Sequence, residues 1–182
     1  MTNYQGKYFG VFPVKVNQMR EVIEEIVDAG SRFNYGLEAD SKPKLVAALA
    51  YNTNKDSLTI LNGYKYEEYL CLAFLGLKID RKIIIVIEKF GELTTLIALS
   101  KELIIRPIIS IHIKMMVKGR GKWMHSSGER AKFCLSNTEI LNAIRLLEAE
   151  NFIDCVKLLH FHISSQLTDI RAVKEACKRL HW

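Results

Sequence analysis

A chain of 182 residues can bury a sizeable core in one domain, and 49% hydrophobic with 25% charged residues is an ordinary globular balance. Its net charge of +6 is spread over apparent helix faces, with no long basic run, which argues against nucleic acid as a partner. The strongest apolar run, residues 82–87, is cut off by Glu88 and Lys89, and Met1 precedes polar residues, so neither a membrane span nor a secretory core is expected. The four cysteines, Cys71, Cys134, Cys155 and Cys177, are widely spaced. That fits buried thiols in a reducing compartment better than a disulfide frame or a zinc site. A cytoplasmic location is the expectation.

The chain opens on an apolar strand running into a helix: Tyr8-Phe9-Gly10-Val11-Phe12-Pro13-Val14-Lys15-Val16-Asn17-Gln18. Lys15 sits near the end of this strand, where an ammonium is costly to bury without a partner. It either points into a cleft or snorkels with its stem over apolar surface, and spacing leaves both readings open. Residues 18–29 have helical periodicity, with Met19, Val22, Ile23, Ile26 and Val27 on one side and Gly30 as a stop. A short strand is predicted over 33–38, then a helix over 43–51 capped by Ser41, with Pro43 in its first turn.

Residues 58–61 form the third strand, ending at Asn62-Gly63, and residues 67–75 the next helix, ended by Gly76. The branched apolar run 82–87 is of the kind found in parallel sheets covered on both faces. Helix 93–103 and strand 107–113 follow. The polar segment 118–130, with three glycines and Ser126-Ser127, reads as a loop within an insert reaching 133. A helix over 138–150 takes Ser136 or Asn137 as its cap; strand 156–163 and helix 169–180 complete the pattern.

About six β-α units in sequence imply a parallel sheet with right-handed crossovers. An open doubly wound sheet and an incomplete (β/α)8 TIM barrel both fit. No glycine-rich turn opens the first helix, where Val16-Asn17-Gln18 stands, and that disfavours a dinucleotide sheet. Lys15, Glu38, Asn62, Glu88 and His162 gather at strand C-terminal ends, the face that carries barrel active sites. Six units leave two edge strands, so the chain reads as a barrel cut short.

The run Gly10-Val11-Phe12-Pro13-Val14-Lys15-Val16-Asn17-Gln18 resembles the cofactor-lysine segment of biosynthetic arginine decarboxylases. These are pyridoxal-phosphate enzymes on an alanine-racemase-like barrel. Further blocks keep the family's order: Gly36-Leu37-Glu38-Ala39 with Ser41-Lys42, Asn62-Gly63-Tyr64-Lys65 and Ile87-Glu88-Lys89. Gly121-Lys122-Trp123, Ser127-Gly128-Glu129, Lys132-Phe133, and Leu159-His160-Phe161-His162 with Ser165-Gln166 continue it. Ordered blocks along nearly the whole chain are a strong signal, whereas any one alone would be weak.

The resemblance implies that residues 1–182 are part of a pyridoxal 5'-phosphate-binding barrel domain, with the family's C-terminal β domain absent. Lys15 would hold the cofactor through a Schiff base, His162 would lie against the pyridine ring, Ser165 would donate to the phosphate, and Glu38 would orient the lysine. The implied reaction takes L-arginine to agmatine and CO2 in polyamine (spermidine) synthesis, in a homo-oligomer at full length. Mg2+ enters through the resemblance alone. With parts of the family's site downstream, little activity is expected of this polypeptide by itself. The rival readings are a diaminopimelate- or ornithine-type decarboxylase fragment, and a noncatalytic remnant or partner-dependent interaction protein.

Residue by residue, plainer readings stand beside these. Glu38 could cap the following helix, Ser165 could begin the last one, and Asn62 and Glu88 could be structural. His160 and His162 share one direction under a period of two, and only the family match prefers His162. The chain also departs from the family's pattern. Asp40, Ser110, Cys134 and Ser164 stand where glycine is usual, and His112 where arginine is usual.

Overall fold

The structure, a computed structural model, describes residues 5–113 and 134–162, with Arg171, Lys174 and Lys178. Its elements alternate: β1 (Val11–Pro13), α1 (Arg20–Gly30), β2 (Gly36–Ala39), α2 (Lys42–Tyr51), β3 (Leu58–Leu61), α3 (Glu67–Lys78), β4 (Lys82–Ile87), α4 (Phe90–Leu103), β5 (Ile108–His112), α5 (Asn137–Ala149) and β6 (Val156–His160). The six strands form one sheet in the order β1-β2-β3-β4-β5-β6, and each neighbouring pair is parallel.

That order decides between the two architectures. A doubly wound sheet reverses its strand order at a switch point, whereas a barrel adds each strand beside the last. Here there is no reversal, and each helix from α1 to α5 packs on the next, so the helices line one face of the sheet. The fold is the α/β arrangement of an incomplete barrel, and the doubly wound alternative falls.

The two sheet faces divide by strand periodicity. Leu37, Ala39, Leu61, Ile83, Ile85, Ile87, Ile109 and Ile111 turn toward the helices and meet Leu45, Leu70, Phe74, Leu93, Leu96 and Leu147 among others. Ile60, Ile84 and Val86 turn the other way, with Val11, Leu58 and Ile108 packed around them. Each side chain so buried contributes about 1.5–3 kcal/mol, which explains why β4 is apolar on both faces. On the inner face the register pairs Pro13, Glu38, Ile60, Ile84 and Ile108 in turn, and Val86 with Ser110 and Leu158.

Local chemistry sets most boundaries. Ser136 caps α5 in a full capping box: its hydroxyl accepts from the Glu139 N–H, and the Glu139 carboxylate accepts from the Ser136 N–H at 2.8 Å. Ser41 stands at the N-cap of α2 without a side-chain cap bond, and Pro43 occupies its first turn. Gly76 does not stop α3, which runs on to Lys78. Its role is proximity: a Cβ there would lie 2.4 Å from the Ile83 Cδ1. Gly30 closes α1 as its last residue, and a 3-10 turn over Ser31–Phe33 follows before β2. The insert over 118–133 lies outside the described residues, as does most of 169–180, where Arg171, Lys174 and Lys178 are helical.

Candidate functional site

Polar side chains collect where the inner face meets the C-terminal rim. β1 is shorter than its apolar run suggests, because the chain turns over Val14 to Val16, and Lys15 stands in that turn. The turn is fixed by Val14 N–H donating to the Glu38 carbonyl at 3.0 Å and by the Val16 N–H closing on Pro13. Lys15 is exposed, yet its charge is felt by both Glu38 and His162. Three residues from the two ends of the sheet are thereby brought into one electrostatic neighbourhood.

Glu38, on β2, is buried and accepts from the Asn62 Nδ2 at 3.0 Å, so it does not cap α2. Burial raises its carboxyl above the usual range, and Asn62 and Lys15 offset part of that rise. His162 lies past the end of β6 and is exposed; burial of part of the ring, then the charges of Lys15 and His112, lower its imidazole. His160, two residues earlier, ends β6 and meets His112 edge to face with centroids 4.5 Å apart. Burial, with His112 adding to it, pushes His160 down to about 4. Ser165 lies outside the described residues.

The rim is held by a buried network that periodicity does not reveal. The Glu92 carboxylate, near the start of α4, accepts from the backbone N–H of Lys65 at 3.1 Å and of Glu88 at 2.9 Å. The Lys65 Nζ lies 3.6 Å from the same carboxylate, with both side chains fully buried, and also donates to the Gly63 carbonyl. Gly63 in turn donates its N–H to Glu88 Oε1 at 2.9 Å. Gly63 has φ +72°, and a Cβ there would lie 2.3 Å from the Asp40 carbonyl oxygen. The Asn62-Gly63-Tyr64-Lys65 block is therefore a backbone clamp between the ends of β3 and β4.

β5 contributes Ser110 and His112, both buried on the inner face. His112 Nδ1 lies 3.8 Å from Glu88 Oε1, and its Nε2 lies 3.3 Å from the Cys134 Sγ. Burial alone would lower the His112 imidazole, but Cys134 and Glu88 hold it up to about 9. Glu88 is correspondingly low: burial opposes its charge, and His112, Lys65 and the Gly63 N–H outweigh it. Ser110, His112 and Cys134 stood out in the sequence only as departures from a pattern. The inward direction of Ser110 and His112 follows from carrying the period of two along β5, whereas nothing local places Cys134 beside them.

Four buried polar atoms of this rim have no hydrogen-bond partner among the described residues: Glu38 Oε2, Asn62 Oδ1, Ser110 Oγ and His112 Nδ1. Buried polar atoms are rarely left so, and their convergence on one face suits a polar ligand. No group of three or more His, Cys, Asp or Glu among the described residues is placed to hold a metal ion. Nor is any described helix long and apolar enough to cross a membrane.

Comparison with known proteins bears on this rim. Residues 1–182 match the model of the pyridoxal-dependent decarboxylase, pyridoxal binding domain. The chain is 49% identical over 175 residues to the biosynthetic arginine decarboxylase of Phocaeicola vulgatus, spanning 96% of this chain and 28% of that protein. It is 46% identical to that of Gloeobacter violaceus, spanning 97% of this chain and 27% of the relative. The crystal structure of the biosynthetic arginine decarboxylase from Campylobacter jejuni superposes with a TM-score of 0.82 at 32% identity, over 97% of this chain and 28% of that one. Diaminopimelate decarboxylase from Helicobacter pylori shares the fold, with a TM-score of 0.73 at 21% identity, over 97% of this chain and 43% of that one.

Proposed function

This chain belongs to the pyridoxal-dependent decarboxylase family, as its pyridoxal-binding domain, and on that premise we propose that it is the cofactor-holding part of an arginine decarboxylase. The substrate would be L-arginine and the products agmatine and CO2, in keeping with the names of relatives that are 49% and 46% identical. The chain spans about 28% of the length of those relatives, so the reaction is proposed for the full-length enzyme.

What supports the proposal is that the charge of Lys15 acts on both Glu38 and His162, which come from opposite ends of the sheet. The residues present fit pyridoxal 5'-phosphate. The amine of Lys15 acts electrostatically on a carboxylate and an imidazole, and the unpartnered Ser110, Asn62 and Glu38 atoms can meet a polar ring and a phosphate. Lys15 would hold the aldehyde carbon, His162 would lie on the ring, and Ser165 would donate to the phosphate. When bound, the cofactor supplies an electron sink for the carbanion left as the carboxylate departs.

The protein groups have separable tasks. Glu38, fixed on one oxygen by Asn62 and acted on by the charge of Lys15, would orient the ammonium. The lowered His162 imidazole offers a neutral flat ring, which would lie against the cofactor without adding a second cation near Lys15. The Lys65–Glu92 and Gly63–Glu88 clamps hold the rim at fixed width, so orientation is set before a ligand arrives.

The test is covalent capture. Purified chain is mixed with pyridoxal 5'-phosphate, reduced with borohydride and mapped by peptide mass. The label is expected on Lys15, lost in Lys15→Ala and retained in Lys42→Ala. Label spread evenly over surface lysines, or unchanged in Lys15→Ala, would overturn the assignment. Arginine turnover is then measured separately in a full-length decarboxylase carrying this segment.

A further inference from the structure

We propose that Cys134, His112 and Glu88 form a reactive-thiol site at the barrel rim that exchanges with small disulfides. Sγ of Cys134 lies 3.3 Å from Nε2 of His112, and on the other side of the ring Oε1 of Glu88 lies 3.8 Å from Nδ1, an ion-pair distance without a hydrogen bond. A thiol with an adjacent imidazole, itself faced by a carboxylate, is the arrangement that activates nucleophilic cysteines. Neither the proposed cofactor chemistry nor the rim clamps use the thiol.

Each member is held from outside the trio. Glu88 Oε1 accepts the Gly63 N–H at 2.9 Å, which orients the carboxylate on the side of the histidine. The His112 ring is buried and meets His160 edge to face. Cys134 is anchored by its neighbour, because Leu135 is buried and donates its N–H to the His112 carbonyl at 2.9 Å. Cys134 itself has φ +91°, in the region that favours glycine, so its backbone is held against its own preference by these contacts. The thiol is half-buried, which leaves it open to a small reagent.

The charges facing His112 favour this role. Glu88 and Cys134 hold its proton, while His160, lowered to about 4, stays neutral beside it. His162 and Lys65 are the other titratable groups that act on this cluster. Cys71 and Cys155 provide internal contrasts. Cys71 packs against the helix-side core, and Cys155 is buried beside Arg106, with burial raising its thiol.

In the exchange, the Cys134 sulfur attacks one sulfur of a disulfide RSSR. The S–S bond breaks, a Cys134–S–S–R bond forms, and the departing thiolate takes the bonding electron pair. The thiol proton ends on that thiolate through His112, so Cys–SH and RSSR become Cys–S–SR and RSH. Cys134 is oxidised and the small disulfide is reduced.

The experiment incubates the chain with 2-hydroxyethyl disulfide at pH 6 and follows each cysteine by peptide mass. Cys134, with the His112 imidazole 3.3 Å from its sulfur, is expected to form the mixed disulfide about tenfold faster than Cys71. His112→Gln should bring the Cys134 rate down to that of Cys71, and Cys134→Ser should remove the fast phase. Cys134 and Cys71 reacting equally in the unaltered chain would overturn the proposal whether or not the variant folds. A fast Cys134 unaffected by His112→Gln, in a variant with unchanged circular dichroism, would overturn it too. Both readouts are independent of cofactor capture by Lys15.

Discussion

His112 and His160 touch edge to face with ring centroids 4.5 Å apart, yet the structure moves their protonation in opposite directions, His112 up to about 9 and His160 down to about 4. From an ordinary value of 6.5, the raised His112 stabilises the fold fully below pH 6.5, and that contribution is lost as pH rises through about 9. The lowered His160 stabilises above pH 6.5, and its contribution is lost as pH falls toward about 4. Each limb is worth at most on the order of 3 kcal/mol. Urea midpoints measured across pH should therefore peak near neutrality, and His160→Phe should flatten the acid limb. A profile whose acid limb is unchanged by that substitution would count against the assignment.

Gly63 is required twice, for its positive φ and for the approach of the Asp40 carbonyl to 2.3 Å of any Cβ. Gly63→Ala is expected to cost about 1–3 kcal/mol in thermal or urea unfolding, since both the backbone strain and the overlap are with main chain. The same variant should loosen the N–H contact to Glu88. A stability within error of the parent would show that the β3 end relaxes freely.

The buried Lys65–Glu92 pair is asymmetric. Glu92 serves two backbone N–H groups as well as the ammonium, whereas Lys65 has the Gly63 carbonyl as its further partner. Glu92→Leu should cost about 3–5 kcal/mol, because it leaves a buried cation and two orphaned donors. Lys65→Met should cost less, as the carboxylate keeps both N–H bonds. Equal losses in paired denaturation curves would contradict this division.

Glu38 should titrate above the ordinary carboxylate value of 4.5, through burial, with Asn62 restraining the rise. Carbon-13 NMR of labelled glutamate can follow it. Asn62→Leu is expected to move the midpoint higher still. A Glu38 midpoint at or below 4.5, indifferent to that substitution, would mean the side chain is better hydrated than its burial implies.

The amino-acid sequence by itself determined the alternation of elements, because side-chain periodicity is a local property. β3 and β4 fall on residues 58–61 and 82–87, where the branched apolar runs lie. The capping box at Ser136 and Glu139 is likewise local. Its ordered motif blocks also identified the family, since their spacing survives whatever the chain does in space.

Tertiary structure alone decided the rest. Strand order is set by which edges pair, so only the assembled sheet separated a barrel from a doubly wound fold. Gly76 reads as a helix stop until Ile83 is seen against it. Lys65 and Glu92, 27 residues apart, find each other only because the ends of β3 and β4 are neighbours. For the same reason no local pattern brings Cys134 to His112: their meeting depends on Leu135 docking at the end of β5.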